Sequence, residues 1–161
     1  MSAQIHYGYN TPMGAAGGIV DLAPFAIDTF LNEAENGVMK FGVGVVRGTN
    51  PGVNVKLPSA TGDKFEGIAV NNRTTEYDLE GNLAIRKGAS VGVMRYGRVY
   101  GRVAEGVKPA YGDPVYMVAS GKEAGYFTNV ADGAIAVKAR FLGTVDATAQ
   151  IAQIELFNMA Q

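Results

Sequence analysis

Four stretches of this chain alternate apolar and polar side chains one by one, and each is soon cut short by a turn. Val53, Val55 and Leu57 alternate with Asn54 and Lys56, and Val99 and Val103 with Arg98, Tyr100 and Arg102. Ile135, Val137, Ala139 and Phe141 alternate with Ala136, Lys138 and Arg140, and Ala152, Ile154 and Leu156 with Gln153 and Glu155. A period of two places one face of an extended strand in a core and the other in water. Further apolar runs fall at 38–46, 67–71, 89–96 and 114–120. Turn residues punctuate the runs, among them Asn50-Pro51-Gly52, Thr61-Gly62-Asp63, Tyr111-Gly112-Asp113-Pro114 and Asp132-Gly133. Such spacing predicts an all-β fold, a small β-barrel or sandwich, with an irregular N-terminal arm and at most one short helix.

Glycine points the same way. The chain has 22 among 161 residues, about twice the usual share. Gly42, Gly44, Gly67, Gly92, Gly97, Gly101 and Gly143 lie inside or beside apolar runs. Glycine there marks a bulge or a barrel corner, or else a backbone approached closely by a ligand. No polar residues converge on these positions, which favours the corner.

Residues 1–36 read as an arm and 37–161 as the barrel-like domain. The arm is broken by Pro12, Pro24 and the run Gly14-Ala15-Ala16-Gly17-Gly18, yet it is too apolar for a disordered tail. Its Tyr7, Tyr9, Pro12, Met13, Ile19, Leu22, Phe25 and Phe30 need cover, from the chain's own domain or from another subunit. One helix is predicted over 22–34, with Asp21 as N-cap and Gly37 beyond its end. Residues 72–88, with Glu76, Asp78, Glu80, Arg86 and Lys87, form the most polar stretch and read as a projecting hairpin or loop.

Catalytic and cofactor chemistry finds little support. The single histidine, His6, lies in the arm, and there is no cysteine to act as nucleophile, metal ligand or disulfide partner. The carboxylates nearest in sequence, Asp63 with Glu66 and Glu76 with Asp78 or Glu80, sit beside turns in polar surroundings. Asp78, Glu80 and Asn82 have the opening spacing of a calcium loop, but Leu83 and Ala89 stand where Gly and Glu are needed. Gly42-Val43-Gly44-Val45-Val46-Arg47-Gly48 falls one residue off the dinucleotide fingerprint and is followed by Thr49-Asn50-Pro51-Gly52 rather than by a phosphate-binding helix. The expectation is a non-enzymatic protein without a cofactor or metal.

A net charge of −1 argues against nucleic acid as a partner. No run of 18 apolar residues argues against a membrane-spanning helix, and the N-terminus shows no signal-peptide pattern. Basic residues gather between 86 and 108, with Arg95, Arg98 and Arg102 around Tyr100. Arginine beside tyrosine is common at protein interfaces. If this face is functional, an acidic protein patch suits it, and these four residues join the arm's apolar side chains as interface candidates.

The segments Gly67-Ile68-Ala69-Val70, Val91-Gly92-Val93-Met94-Arg95-Tyr96-Gly97-Arg98-Val99, Gly112-Asp113-Pro114-Val115-Tyr116, Gly125-Tyr126-Phe127-Thr128, Ala139-Arg140-Phe141-Leu142 and Ile151-Ala152-Gln153-Ile154-Glu155-Leu156 follow in order. In that order and spacing, over about residues 38–158, the chain resembles the phage structural cement proteins. The resemblance implies a virion protein on the outer surface of a phage capsid, made in the bacterial host cytoplasm. It also implies contact with the major capsid protein, bridging of its neighbouring subunits and self-association as a trimer or dimer. The competing readings are a tail or baseplate β-module and a small-ligand barrel.

Overall fold

The computed structural model describes residues 14–71, 76–77 and 83–157. They form eleven strands and, among the described residues, no helix. The strands are β1 (Ala26–Asn32), β2 (Gly44–Arg47), β3 (Asn54–Lys56), β4 (Phe65–Ala69), β5 (Glu76–Tyr77), β6 (Leu83–Ala84), β7 (Ser90–Arg102), β8 (Pro114–Val118), β9 (Phe127–Thr128), β10 (Ala134–Phe141) and β11 (Ile151–Leu156).

Five strands close a ring in the order β1-β3-β2-β4-β7, with β7 pairing back to β1. Closure leaves no sheet edge within the ring where the ladders run. Phe30, Val45, Val55, Ala69, Val91 and Val93 share its core with Met39, Phe41, Val43 and Ile85 from the connecting segments. The second half of β7 then leads a second sheet, β7-β11-β10-β8-β9. A parallel bridge from Val103 to Phe127 brings the far strand back to the end of β7. The inner face of this sheet and the outside of the barrel enclose the larger core, which includes Met94, Met117, Phe127, Phe141 and Ile154. Of the barrel and the sandwich foreseen for the chain, the barrel is what forms: the fold is all-β, a closed five-strand barrel with further strands beside it.

β7 joins the two regions by bending. Val91 and Val93 face the barrel core and Met94 the larger core, yet beyond the bend Val99 and Val103 face the larger core. An extra residue must intervene for the facing parity to flip. The register shows it: Ala26 opposes Tyr96 while Ile27 opposes Met94, so Arg95 is left over as a bulge. Gly97 follows with φ of 122°, and a Cβ there would stand 2.6 Å from the Cβ of Phe25. Here the corner reading of the strand glycines holds. At Gly44 and Gly101 a close approach decides instead. A Cβ on Gly44 would run into Met117 Sδ, and one on Gly101 would lie 2.9 Å from the Phe127 ring. What approaches is the chain's own core, not a ligand.

The helix expected over 22–34 is a correction: residues 26–32 are strand β1. Ile27, Phe30 and Leu31 have helical spacing, but β7 and β3 offer strand edges on either side. β1 pairs antiparallel with β7 along Ala26–Leu31 and parallel with β3 at Leu31 and Asn32. Satisfying both edges outweighs a local helical preference of a few tenths of a kcal/mol per residue. The barrel therefore takes a stave from the stretch read as an arm. Of the polar excursion at 72–88, the described parts are the β5–β6 pair, joined at Glu76–Ala84 and Tyr77–Leu83, and residues 85–88, where Ile85 enters the barrel core.

Candidate functional site: the outer face along strand β7

Residues 17–20 run beside the second half of β7. Gly17 N donates to Tyr100 O at 2.7 Å, Tyr100 N to Gly18 O at 2.9 Å, and Val20 N to Arg98 O at 3.1 Å. β11 covers the other side of the same half-strand, so this segment covers an edge that would otherwise stand open. Gly17 has φ of 76°, and a Cβ on it would lie 2.8–3.0 Å from backbone atoms of Asn71, Ala69 and Gly42. A side chain has no room there. Gly14 lies against the ring of Tyr100, the nearest ring atom being 2.5 Å from where a Cβ would stand. From Gly14 onward, then, the arm lies on its own domain. Tyr7, Tyr9, Pro12 and Met13 fall outside the described residues.

That attachment leaves apolar side chains facing out. Leu22 is 98% exposed, with Ile19 and Phe25 also exposed. The turn carrying Leu22 is held in place: Asp21 accepts from the Ala23 N–H at 3.0 Å and from Arg98 Nη1 at 2.8 Å. Of the apolar arm candidates described, only Phe30 is not at the surface. It is 4% exposed in the barrel core, because alternation along β1 turns Phe30 and Asn32 inward and Leu31 outward.

The arginines do not form a free basic face. Arg98 Nε donates to Glu155 at 3.0 Å, and Arg140 Nε donates to the other oxygen of Glu155 at 2.6 Å. Arg95 pairs with Asp28 at 3.0 Å and with Glu66 at 3.4 Å, and Arg47 with Glu66 at 3.0 Å. Arg102 Nε donates to the Phe41 carbonyl at 2.8 Å. Arg86 is engaged as well. Each of these arginines thus has a partner within the chain, carboxylates for Arg95 and Arg98 and a backbone carbonyl for Arg102. Burial alone would raise the Glu155 carboxyl, but hydrogen bonds from Arg140 and Arg98 outweigh it and hold the group below its ordinary value. The hydrogen bond from Arg98 likewise lowers Asp21, and Asp21 and Glu155 together raise Arg98.

One cluster escaped the sequence reading. The Arg140 guanidinium lies 5.7 Å from the Tyr111 ring centre and 5.9 Å from that of Phe157. Tyr111 is 68% exposed and Phe157 is exposed too. Exposed Tyr, Phe and Arg stacked together have the composition of an interface centre. The residues come from a turn and from the ends of β10 and β11, and no local spacing links them.

The carboxylates weighed for catalysis have structural tasks where they are described. Asp63 accepts from the Ser59 and Ala60 N–H groups, and the Ser59 bond is the main cause that lowers its carboxyl. Glu66 sits between two arginines at the bulge opposite Val45 and Val46. Among the described residues no group of histidine, aspartate and glutamate could hold a metal ion. The side chains of Glu76, Asp78 and Glu80 lie outside the described set.

A chain from the capsid of Myoviridae Phage XM1 is similar in fold, with a TM-score of 0.73 and 22% identity, covering 100% of both chains. No curated protein sequence matches this one. The family described as structural cement protein (E217 gp24/Pam3 gp6) matches residues 3–157. Nearly the whole chain, barrel, second sheet and covering segment alike, falls within that match. The protein belongs to the phage structural cement proteins and is a capsid-associated structural component of the virion.

Proposed function

We propose that the protein sits on the outer surface of an assembled phage head and bridges neighbouring subunits of the major capsid protein, so that the DNA-filled shell resists rupture. The observation that carries this reading is the Ile19–Leu22–Phe25 turn. Its apolar side chains face solvent, yet its backbone is tied to β7 and its aspartate to Arg98. A turn held in one conformation loses little entropy when a partner covers it. Covering ~300 Å² of apolar surface is worth about 7 kcal/mol before ordering costs. The Tyr111–Arg140–Phe157 stack supplies a second anchor on the outer face. Tyr7, Tyr9, Pro12 and Met13 extend the contact as a capsid-binding arm, alongside Arg95, Arg98, Tyr100 and Arg102.

The role requires neither catalysis nor a cofactor. A net charge of −1, with the described arginines engaged, fits a position away from the genome. Self-association into a trimer or dimer follows if the sites lie on local symmetry axes. Synthesis in the host cytoplasm accords with the lack of cysteine.

The test is reconstitution. Heads assembled without this protein are mixed with the purified chain, and occupancy and rupture temperature are measured. Wild-type protein is expected to decorate heads in hundreds of copies and to raise the rupture temperature. A Leu22→Asp, Phe25→Ser double variant is expected to stay folded and lose most occupancy. A few copies per virion, located at the tail, would overturn the proposal in favour of the baseplate module.

A further inference from the structure

Where the barrel meets the second sheet, a cleft of about 180 Å³ opens on the surface. Its apolar lining includes Val38 and Val43 from the segment before β2, Leu57 just after β3, and Tyr126 from the β8–β9 connection. Lys40 and Lys122 stand at its rim. A cavity of ~150 Å³ with an apolar lining is large enough for a benzene ring.

The walls are tied together. Gly44 N donates to Gly125 O at 2.7 Å, and Gly125 N to Val118 O at 3.0 Å. A Cβ on Gly125 would lie 3.3 Å from both Leu57 Cδ2 and Val43 Cβ. The cleft is thus formed before any partner arrives, which lowers the entropy lost on filling it.

The charges decide the occupant. The described arginines are engaged within the chain, but neither the Lys40 nor the Lys122 ammonium has a partner among the described residues. The acid next in sequence to Lys122, Glu123, accepts instead from the Glu105 N–H at 2.9 Å. Two unpartnered cations beside an apolar hollow match a bulky apolar side chain flanked by carboxylates.

We propose that this cleft receives a segment of the major capsid protein, with one large aliphatic or aromatic side chain in the hollow and acidic neighbours against Lys40 and Lys122. The inference rests on the capsid-bridging function proposed above and adds the chemistry of one contact. It also assigns that contact to the seam between the two structural regions, so that the capsid segment touches both.

The experiment compares three variants with wild type on heads assembled without the protein, at two salt concentrations. The Lys40→Glu, Lys122→Glu double variant is expected to bind about tenfold more weakly. The Lys40→Arg, Lys122→Arg double variant is expected to bind as wild type does, because it keeps the charge. Ala124→Trp fills the hollow and is expected to weaken binding at both salt concentrations. Circular dichroism and melting temperature report that each variant is folded. Undiminished occupancy by the charge-reversed and filled variants overturns the inference. So does a change in the sedimentation mass of the free protein with occupancy unchanged, which would assign the cleft to a second copy of this chain. Wild-type protein that fails to decorate heads overturns the proposed function, and the occupant assigned to the cleft falls with it.

Discussion

The barrel and the second sheet solve the same problem in different ways. Both are built from short strands, and both depend on β7. The barrel closes fully, and its ring of five paired strands encloses a core rich in valine. The second sheet nearly closes, through the single Val103–Phe127 bridge, and shares its larger core with the outside of the barrel. Its outer face displays the Asp21–Arg98–Glu155–Arg140 chain of ion pairs, Arg140 against the Tyr111 and Phe157 rings, and the arm segment beside β7. The lesson is a division of labour. The ring fixes β7, and the outer half of β7 carries the arm segment and the arginine of the ion-pair chain.

The sharpest way to break this comparison is to remove β1. Deleting residues 1–32 opens the ring and exposes edges on β3 and β7, and the chain is expected to lose its cooperative unfolding transition. Deleting residues 1–13 takes away no described strand and is expected to leave the melting transition in place. Equal loss of folding in the two deletions, followed by circular dichroism, would count against the ring as the frame.

Core truncations come next. Phe141→Ala in the larger core is expected to cost about 3–5 kcal/mol in denaturant unfolding, because its side chain is fully buried. Phe30→Ala in the barrel is expected to cost about 3 kcal/mol, at the lower end of that range. A reversed order would make the small barrel the better-packed region.

Glu66→Gln tests the seam electrostatically. Glu66 is 7% exposed and holds two arginines that are themselves about half exposed. Screening of the arginines limits the expected loss to about 1–2 kcal/mol.

Acid titration is smaller still. The carboxyl of Glu155 is lower in the folded protein than in the unfolded chain. Its ion pairs therefore contribute fully above the unfolded value, about 4.3, and the contribution fades as pH falls through the folded value. The melting temperatures of wild type and Glu155→Gln should converge as pH falls below that value, and a constant gap would remove Glu155 from the account. Smallest is Leu22→Asp, expected to shift stability by less than about 0.5 kcal/mol while occupancy on heads falls.

How much was legible in the chain varies by segment. The strict alternation of 135–141 and 152–156 became β10 and β11, because each strand buries one face against one core. The runs 89–96 and 98–103 looked like two strands and are one, since a single extra residue and a glycine flip the parity within a continuous ladder. Residues 26–32 looked helical because their partners, β3 and β7, lie 22 or more positions further along the chain, as in Asn32 with Val55 and Leu31 with Ser90. The exposed Leu22 and Phe25 were named from the sequence by their greasiness and breaks. Tyr111 and Phe157 were not, because Arg140 joins them only in space.

Alternation, turn residues and the ordered motif set by themselves determined an all-β chain and its place among the phage cement proteins, since these signals are local or follow the order of the chain. The tertiary structure alone decided that β1 closes a ring, that the described arginines find partners within the chain, and where, among the described residues, apolar surface and unpartnered lysines remain. Those outcomes depend on which distant segments compete for each strand edge and each charge, and no local pattern records that competition.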